Sequence, residues 1–246
     1  MPGTSSALVR RFSVNKKGRD LIVGDVHGNF SKLRLALDAV SFNPDAGDRL
    51  FSVGDLVDRG PESDLALSWL AYPWFFTVSG NHESMAIMWA AGGVDPRQYR
   101  ANGGGWNIEN PASLSRAISQ ALQRLPIAIE IETPDGLVGI VHAECPAASW
   151  PAFVAALESP LTSEMERLHL RTMAQWMRNR IDRLDDDNIA GVRAVVVGHT
   201  PVRQWTSLGN TIFIDTGAWL PEHDNPGPFL LLDAKTLRPA QPQSLL

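Results

Sequence analysis

Short apolar runs that end in a glycine followed by a polar residue recur along this chain. Leu21 to Val23 leads into Gly24-Asp25-Val26-His27-Gly28, Leu50 to Val53 into Gly54-Asp55-Leu56-Val57-Asp58-Arg59-Gly60, and Trp74 to Val78 into Ser79-Gly80-Asn81-His82-Glu83. Each run reads as a strand closed by turn residues. Helical spacing follows each one: Phe30 to Val40 through Leu33 and Leu37, a stretch through Leu65, Leu67 and Leu70, and Met85 to Ala90. Strands alternating with helices predict a layered α/β core with parallel pairings.

Further along, Asn102-Gly103-Gly104-Gly105-Trp106 is expected to be a flexible loop and Ser113 to Leu125 a helix. Ile127 to Ile131 and Leu137 to Val141 flank Pro134-Asp135-Gly136, the pattern of a hairpin. Glu164 to Ile181 reads as one long helix. Val192 to Val197 reads as a strand running into Gly198-His199-Thr200-Pro201, and Thr211 to Ile214 and Phe229 to Leu232 as the last strands. Hairpins among parallel units imply mixed sheets, packed together. Residues 1–20 carry Arg10, Arg11, Lys16, Lys17 and Arg19 with no apolar stretch behind them, so they read as a lead-in and not as a secretory signal.

Composition narrows the function classes. A length of 246 residues suits a single domain, and 44% hydrophobic with 20% charged residues is ordinary for a soluble globular protein. The longest apolar runs are too short to cross a bilayer, so no membrane partner is expected. The net charge of −5 argues against a nucleic-acid partner and leaves any anionic substrate to be drawn in by a local positive site. Cys145, the single cysteine, cannot form an internal disulfide, and a reducing cytoplasmic setting is expected. It is rejected as a phosphatase nucleophile because Pro151 stands where that chemistry needs an arginine. There is no Gly-Lys-Ser or Gly-Lys-Thr phosphate loop, and Asp185-Asp186-Asp187-Asn188 lacks the calcium-loop pattern.

The chemistry collects at the strand ends. Of six histidines, four (His27, His82, His142 and His199) stand just beyond a strand-like run, as do Asp25, Asp55 and Asn81. Loops at the carboxyl ends of strands converge in α/β sheets. Oxygen and imidazole donors without cysteine suit manganese, iron or zinc better than they suit a structural zinc site. Any one of these fragments alone is a common turn; together, in a consistent strand-then-turn setting, they point to a pair of ions about 3.5–4 Å apart sharing a carboxylate.

The same fragments resemble the PPP family of metallophosphoesterases, most closely the phage-lambda-type bacterial serine/threonine protein phosphatases. Gly24 to Gly28, Gly54 to Gly60 and Gly80 to Glu83 match that signature in order and spacing. His142-Ala143-Glu144, Gly198-His199-Thr200-Pro201, Asp215-Thr216-Gly217-Ala218, Asn102 to Trp106 and Trp176 to Ile181 match it too. The likeness runs from about Leu21 onward and implies one calcineurin-like metallophosphoesterase domain over residues 21–246: a β-sandwich of mixed sheets flanked by helices. It implies two divalent ions, with manganese expected and iron or zinc as alternatives. Asp25, His27 and Asp55 would hold one, and Asp55, Asn81, His142 and His199 the other. By the same likeness Arg59, Arg178 and Asn81 bind the phosphate, His82 is the general acid and Asp58 orients it. Four ionic charges against two from Asp25 and Asp55 leave such a site positive. A water between the ions is acidified towards a pKa of about 7 and can attack phosphorus directly.

Each assignment has a plainer rival. His82 could be structural, Asp58 could cap the following helix or pair with Arg59, and Arg178 with Arg180 could be a solvated helix face. His169 and His223 read as surface residues, with His223 a candidate cleft neighbour; Trp106 and Trp219 are the tryptophans expected near the cleft. Relatives commonly carry Arg at the position of Ser79, so a supporting ion pair is expected to be lost. The expected function is a serine/threonine protein phosphatase, with phosphotyrosine and small phosphomonoesters also accepted. The principal rival is a symmetrical diadenosine tetraphosphate hydrolase, whose members typically carry Ala in place of Asp58. A non-catalytic phosphate-binding module is the rival from a different class.

Overall fold

The computed structural model describes residues 7–224 and 227–241; residues 1–6 of the expected lead-in lie outside the described residues. Two mixed sheets organise the described chain. One has six strands in the order β1-β5-β6-β7-β9-β8, namely Val9–Phe12, Ala128–Thr133, Gly136–Val141, Ala194–Val197, Thr211–Phe213 and Thr206–Leu208. The other has five in the order β11-β10-β2-β3-β4: Arg238–Pro239, Leu231–Asp233, Asp20–Val23, Arg49–Ser52 and Phe75–Thr77. Among the described residues nine α-helices accompany them: α1 (Phe30–Ala39), α2 (Ala66–Leu70), α3 (Asn81–Ala90), α4 (Pro96–Ala101), α5 (Gly105–Ile108), α6 (Ala112–Leu122), α7 (Trp150–Glu158), α8 (Glu164–Trp176) and α9 (Asn179–Arg183).

Alternation along the strands explains the layering. Ile22 of β2 and Val196 of β7 meet in a core between the two sheets, together with Phe51, Ile129, Ile140 and Ile212. Their neighbours Leu21 and Val23 point the other way, into a core shared with α1, α2, α3 and α6. Val195 and Val197 likewise face α7 and α8. Both faces of the central strands are therefore buried, which is why those strands read as unbroken apolar runs. The result is a sandwich of two mixed sheets with helices on both outer faces. Among the described residues, no helix is long and apolar enough to cross a membrane.

Three local expectations need correction. The stretch read as a lead-in carries β1, which pairs in parallel with β5 from Val9 opposite Ala128 to Phe12 opposite Ile131. The glycine-rich stretch after Asn102 does not stay a loop, because Gly105 begins the short helix α5. The long helix expected over Glu164 to Ile181 stops at Trp176: Met177 turns extended, and α9 restarts at Asn179. Glu144, accepting from the Asn179 side chain at 3.0 Å and the Arg180 backbone N–H at 3.1 Å, caps the restart.

Candidate active site

Strands β2, β3 and β4 run parallel, as do β6, β7 and β9. In each sheet the carboxyl ends of three strands therefore share an edge, the place where loops converge. Asp25 and His27 follow β2, Asp55 follows β3, Asn81 opens α3 behind β4, His142 follows β6, His199 follows β7 and Asp215 follows β9. All seven are buried.

The turns that present them are strained and braced. His27, Asp55, Asp58, Arg59 and His199 all adopt positive φ, between 43° and 70°, which non-glycine residues rarely do. A side chain at Gly80 would come within 2.2 Å of Asp55 Oδ1, and one at Gly198 within 2.1 Å of Asp25 Oδ1, so glycine is required at both. The buried Glu83 carboxylate accepts backbone N–H bonds from Asp55 at 2.8 Å, Leu56 at 2.7 Å and Gly80 at 2.8 Å, lashing two of the loops together.

Three imidazoles each commit one nitrogen to a backbone carbonyl and leave the other facing the cluster. His27 Nδ1 lies 3.0 Å from Val57 O, His142 Nδ1 2.8 Å from Val53 O, and His199 Nε2 3.2 Å from Trp176 O. Such carbonyl contacts orient metal-binding histidines. Asp55 Oδ1 accepts from the His82 backbone N–H at 2.9 Å, whereas Oδ2 stands 3.6 Å from His27 Nε2 and 3.3 Å from His142 Nε2. Asp25 Oδ2 is 4.0 Å from His27 Nε2, and Asn81 Oδ1 is 2.9 Å from both His142 Nε2 and His199 Nδ1. His27 Nε2 is buried with no hydrogen-bond partner. A cation among these donors would satisfy it, and the N/O donor set fits a divalent ion.

Electrostatics agree with that fit. Burial, then the neighbouring Asp215, pushes the Asp25 carboxyl well above its ordinary range. Burial likewise raises Glu83 to about 7 and Asp215 to about 6. Burial disfavours the charged forms of Asp55 and His142 too, but here mutual attraction wins. Asp55 is held well below its ordinary range, and His142 rises to about 10 beside Asp55 and Asp25. Burial drives His27 well below the usual histidine range, and burial with His142 takes His199 down to about 3. Crowded buried carboxylates of this kind are what a bound cation relieves.

Beside the cluster, His82 Nδ1 donates to Asp58 Oδ2 at 2.8 Å. Asp58 Oδ1 accepts from the Trp106 indole N–H at 2.7 Å and the Tyr99 hydroxyl at 3.2 Å, so the completely buried carboxylate is held from both sides. On the far side of the ring, Arg59 Nη2 lies 3.1 Å from His82 Nε2. The Arg59 guanidinium also stacks over Trp219 at 4.3 Å, while the Trp219 indole N–H reaches Asp215 at 3.2 Å and its ring packs against His27. His27, Asp55 and His82 lie close enough to form a ligand triad by distance alone, as do Asp55, His142 and His199. The first triad is less persuasive, because both His82 nitrogens already have partners at Asp58 and Arg59.

The structure brings together all six expected ligands and sets Asp58, His82 and Arg59 beside them. Arg178 is more loosely placed, with Nη2 3.4 Å from His199 O. Arg180 is engaged elsewhere, bonding the carbonyls of Asp185 and Asp187. His223 is a surface residue, 80% exposed and paired with Asp224. Ser79, expected to have lost an ion pair, instead accepts from the Gln175 amide through its hydroxyl at 3.0 Å. Tyr99, Gln175 and the Trp176 carbonyl are the contributors that sequence reasoning missed, and no motif marks Tyr99 or Gln175. A groove of about 830 Å³ lies along α8, lined by Leu161, Met165 and Leu168 and by none of these residues, so the side chains locate the site and cavity size does not.

Comparison with known proteins places this architecture. The chain is 34% identical over 200 residues to serine/threonine-protein phosphatase 2 of Escherichia coli, covering 80% of this chain and 86% of that protein. It is equally similar to serine/threonine-protein phosphatase 1 of Salmonella typhimurium, covering 80% and 85%. A symmetrical bis(5'-nucleosyl)-tetraphosphatase of Pseudomonas putida is 51% identical, but over 63 residues, 25% of this chain and 22% of that protein. Among solved structures, a cold-active protein-tyrosine phosphatase of Shewanella matches with a TM-score of 0.62 at 18% identity, covering 94% and 78% of the two chains, and so shares the fold. Residues 19–203 match the model of the calcineurin-like phosphoesterases, and the chain belongs to that family.

Proposed function

We propose that this chain is a metal-dependent phosphomonoesterase that removes phosphate from serine and threonine in proteins, with phosphotyrosine and small phosphomonoesters as further substrates. The observation that carries the reading is the Asp58–His82 pair: an imidazole aimed at the site, oriented by a buried carboxylate at 2.8 Å that is itself anchored by Trp106 and Tyr99. A serine or threonine phosphate leaves as a strongly basic alkoxide and needs a proton, whereas an anhydride leaving group depends far less on one. Similarity to two bacterial serine/threonine phosphatases over 80% of the chain supports the same choice.

Asp25, His27 and Asp55 would hold one divalent ion and Asp55, Asn81, His142 and His199 the second. Manganese is the expected occupant, with iron or zinc the alternatives that this donor set also accepts. When bound, the ions supply positive charge and the acidification of water that no side chain here provides. The protein's own residues supply the remainder. Arg59 and Arg178 bind the phosphate oxygens and stabilise the charge that spreads over them as phosphorus is attacked. Once the phosphate engages Arg59, His82 Nε2 takes up a proton from solvent and gives that proton to the leaving oxygen as the phosphorus–oxygen bond breaks, returning to the neutral ring, while Asp58 stabilises the charged form through Nδ1–H. Buried, free Cys145 takes no part and fits a cytoplasmic setting.

The similarity to tetraphosphatases over a quarter of the chain keeps anhydride cleavage as the second reading. Phosphoseryl peptide, p-nitrophenyl phosphate and diadenosine tetraphosphate, assayed with manganese and then with EDTA, separate the readings. Chelator-sensitive peptide and monoester turnover supports the proposal. Anhydride cleavage alone supports the second reading, and no turnover would support a phosphate-binding module.

A further inference from the structure

The last turn of α8 touches three of the four residues proposed to hold the second ion, or their immediate neighbours. Ala174 O accepts from the backbone N–H of Ala143, next to His142, at 2.8 Å. Trp176 O contacts His199 Nε2 at 3.2 Å. Between them, Gln175 reaches the turn that precedes Asn81. Its amide nitrogen lies 3.0 Å from Ser79 O, 3.0 Å from Ser79 Oγ and 3.1 Å from Gly80 O, and its Oε1 accepts from Ser84 Oγ at 3.0 Å. Gln175 is 3% exposed.

A buried glutamine satisfying its amide wherever acceptors exist would be the plain explanation. Two features go beyond it. All the acceptors of the amide nitrogen belong to the single dipeptide before Asn81, and Oε1 engages the first turn of the helix that Asn81 opens. Gln175 also spans 96 residues of sequence, joining a helix on the outer face of the six-stranded sheet to a turn leaving the five-stranded one. Asn81 comes from one sheet and His142 and His199 from the other, so their separation at this edge depends on such a tie.

We infer that Gln175 is a positioning residue for the second ion, fixing the Ser79–Gly80 turn so that Asn81 Oδ1 meets His142 and His199 at coordinating distance. The inference rests on the two-ion reading above. Partners that hydrogen-bond a ligand directly are worth roughly 10- to 100-fold in metal affinity, and Gln175, which holds the turn before Asn81, is expected at the lower end of that range. Asp25 and His27, proposed for the first ion alone, lie in loops laced directly to the Asp55 turn and make no hydrogen bond to Gln175, so the larger effect falls on the second ion.

The test compares wild-type protein with Gln175→Met, which keeps length and volume but removes both hydrogen-bonding functions, and with Ser84→Ala, which frees Oε1 and leaves α8 packing untouched. Manganese is titrated into each metal-free protein by calorimetry, and the spin-coupled signature of a manganese pair is followed by electron paramagnetic resonance. For Gln175→Met the second binding step weakens about tenfold, the first moves less than twofold, the coupled signature appears at correspondingly higher manganese, and saturating metal restores most of kcat. Ser84→Ala shifts the same step by about threefold in the same direction. Both steps weakening together, or neither moving in a protein of normal melting temperature, overturns the inference. If Gln175→Met does not fold, an unmoved second step in Ser84→Ala overturns it alone. Wild-type protein that binds no manganese pair sinks the two-ion reading itself, a result separate from any difference between variants.

Discussion

The Asp25–His27–Asp55 side of the cluster and its Asn81–His142–His199 side are built on different plans. On the first, two loops from adjacent parallel strands zip directly together: Val26 N–H and His27 N–H both donate to Asp55 O, at 3.0 and 2.8 Å, and Gly28 N–H donates to Leu56 O at 2.8 Å. The tight turns force His27 and Asp55 into positive φ, as they do Asp58 and Arg59 just beyond. On the second side the residues come from both sheets, only His199 is strained, and the bracing arrives from afar: Val53 O on His142, Trp176 O on His199 and Gln175 on the turn before Asn81. A local zipper stores strain and needs little else. A site assembled across a sandwich depends on everything that sets the spacing of the two sheets.

Asp55 belongs to both sides, and breaking it gives the largest expected effect. Asp55→Asn keeps the shape and the oxygen that accepts from His82 N–H but removes the charge between His27 and His142. Monoester turnover should fall by at least roughly 10³-fold, the scale for losing a central electrostatic group, and metal analysis should show both ions lost or weakened. Retention of two tightly held ions with high activity would show that Asp55 is not shared.

His82→Asn separates chemistry from metal binding. Turnover should drop by roughly 10² to 10³-fold with metal content nearly unchanged, as expected for loss of a general acid. Loss of an ion in place of loss of rate would mean that the His27–Asp55–His82 triad is the ligand set after all.

The two plans also explain what was legible in the sequence. The proposed ligands other than His142 announce themselves as polar residues next to glycines at strand ends, because the close approaches at Gly80 and Gly198 leave no room for a side chain. The buried strands announce themselves because both faces pack: in β7, Ala194 and Val196 face the other sheet while Val195 and Val197 face the helices. What could not be read is what tertiary contacts impose. β1 escapes notice because Arg10 and Arg11 give its edge position a polar look, and edge strands are commonly charged. The break after Trp176 has no proline or glycine to mark it; Glu144, a distant residue, holds the restart. Gln175 carries no motif at all, and its role exists only once two sheets are packed.

Proton linkage sharpens the contrast further. In the metal-free protein His142 has its pKa raised to about 10, so near neutrality it carries a proton that metal binding must expel. Affinity of the second side for manganese should therefore rise with pH between 7 and 9, by up to about tenfold per unit, measured as a competition titration with a chelator of known pH dependence. The sign for folding is the reverse. A histidine raised above its unfolded value of 6.5 contributes stability that is complete below that value and is lost as pH climbs towards 10, and Glu83, raised to about 7, works in the same direction at lower pH. Metal-free protein should melt at lower temperature at pH 9 than at pH 7, and saturating manganese should flatten that slope. A metal affinity independent of pH would show that His142 is already neutral.

Trp219 offers the finest cut, because it serves the first side and the substrate at once. Its ring face lies under the Arg59 guanidinium, and its ring packs at 69° to that of His27 with centroids 4.6 Å apart. A cation–aromatic contact open to solvent is worth about 0.5–1 kcal/mol, so Trp219→Leu should raise KM by roughly two- to fivefold through a less ordered Arg59 and leave kcat within about twofold. In an Arg59→Ala background the same substitution should change KM hardly at all, since the group it orders is gone, and the double-mutant cycle measures that coupling directly. If the KM effect persists without Arg59 and manganese affinity falls with it, Trp219 acts on His27, and the local zipper leans on the substrate wall of the cleft as well as on its own loops.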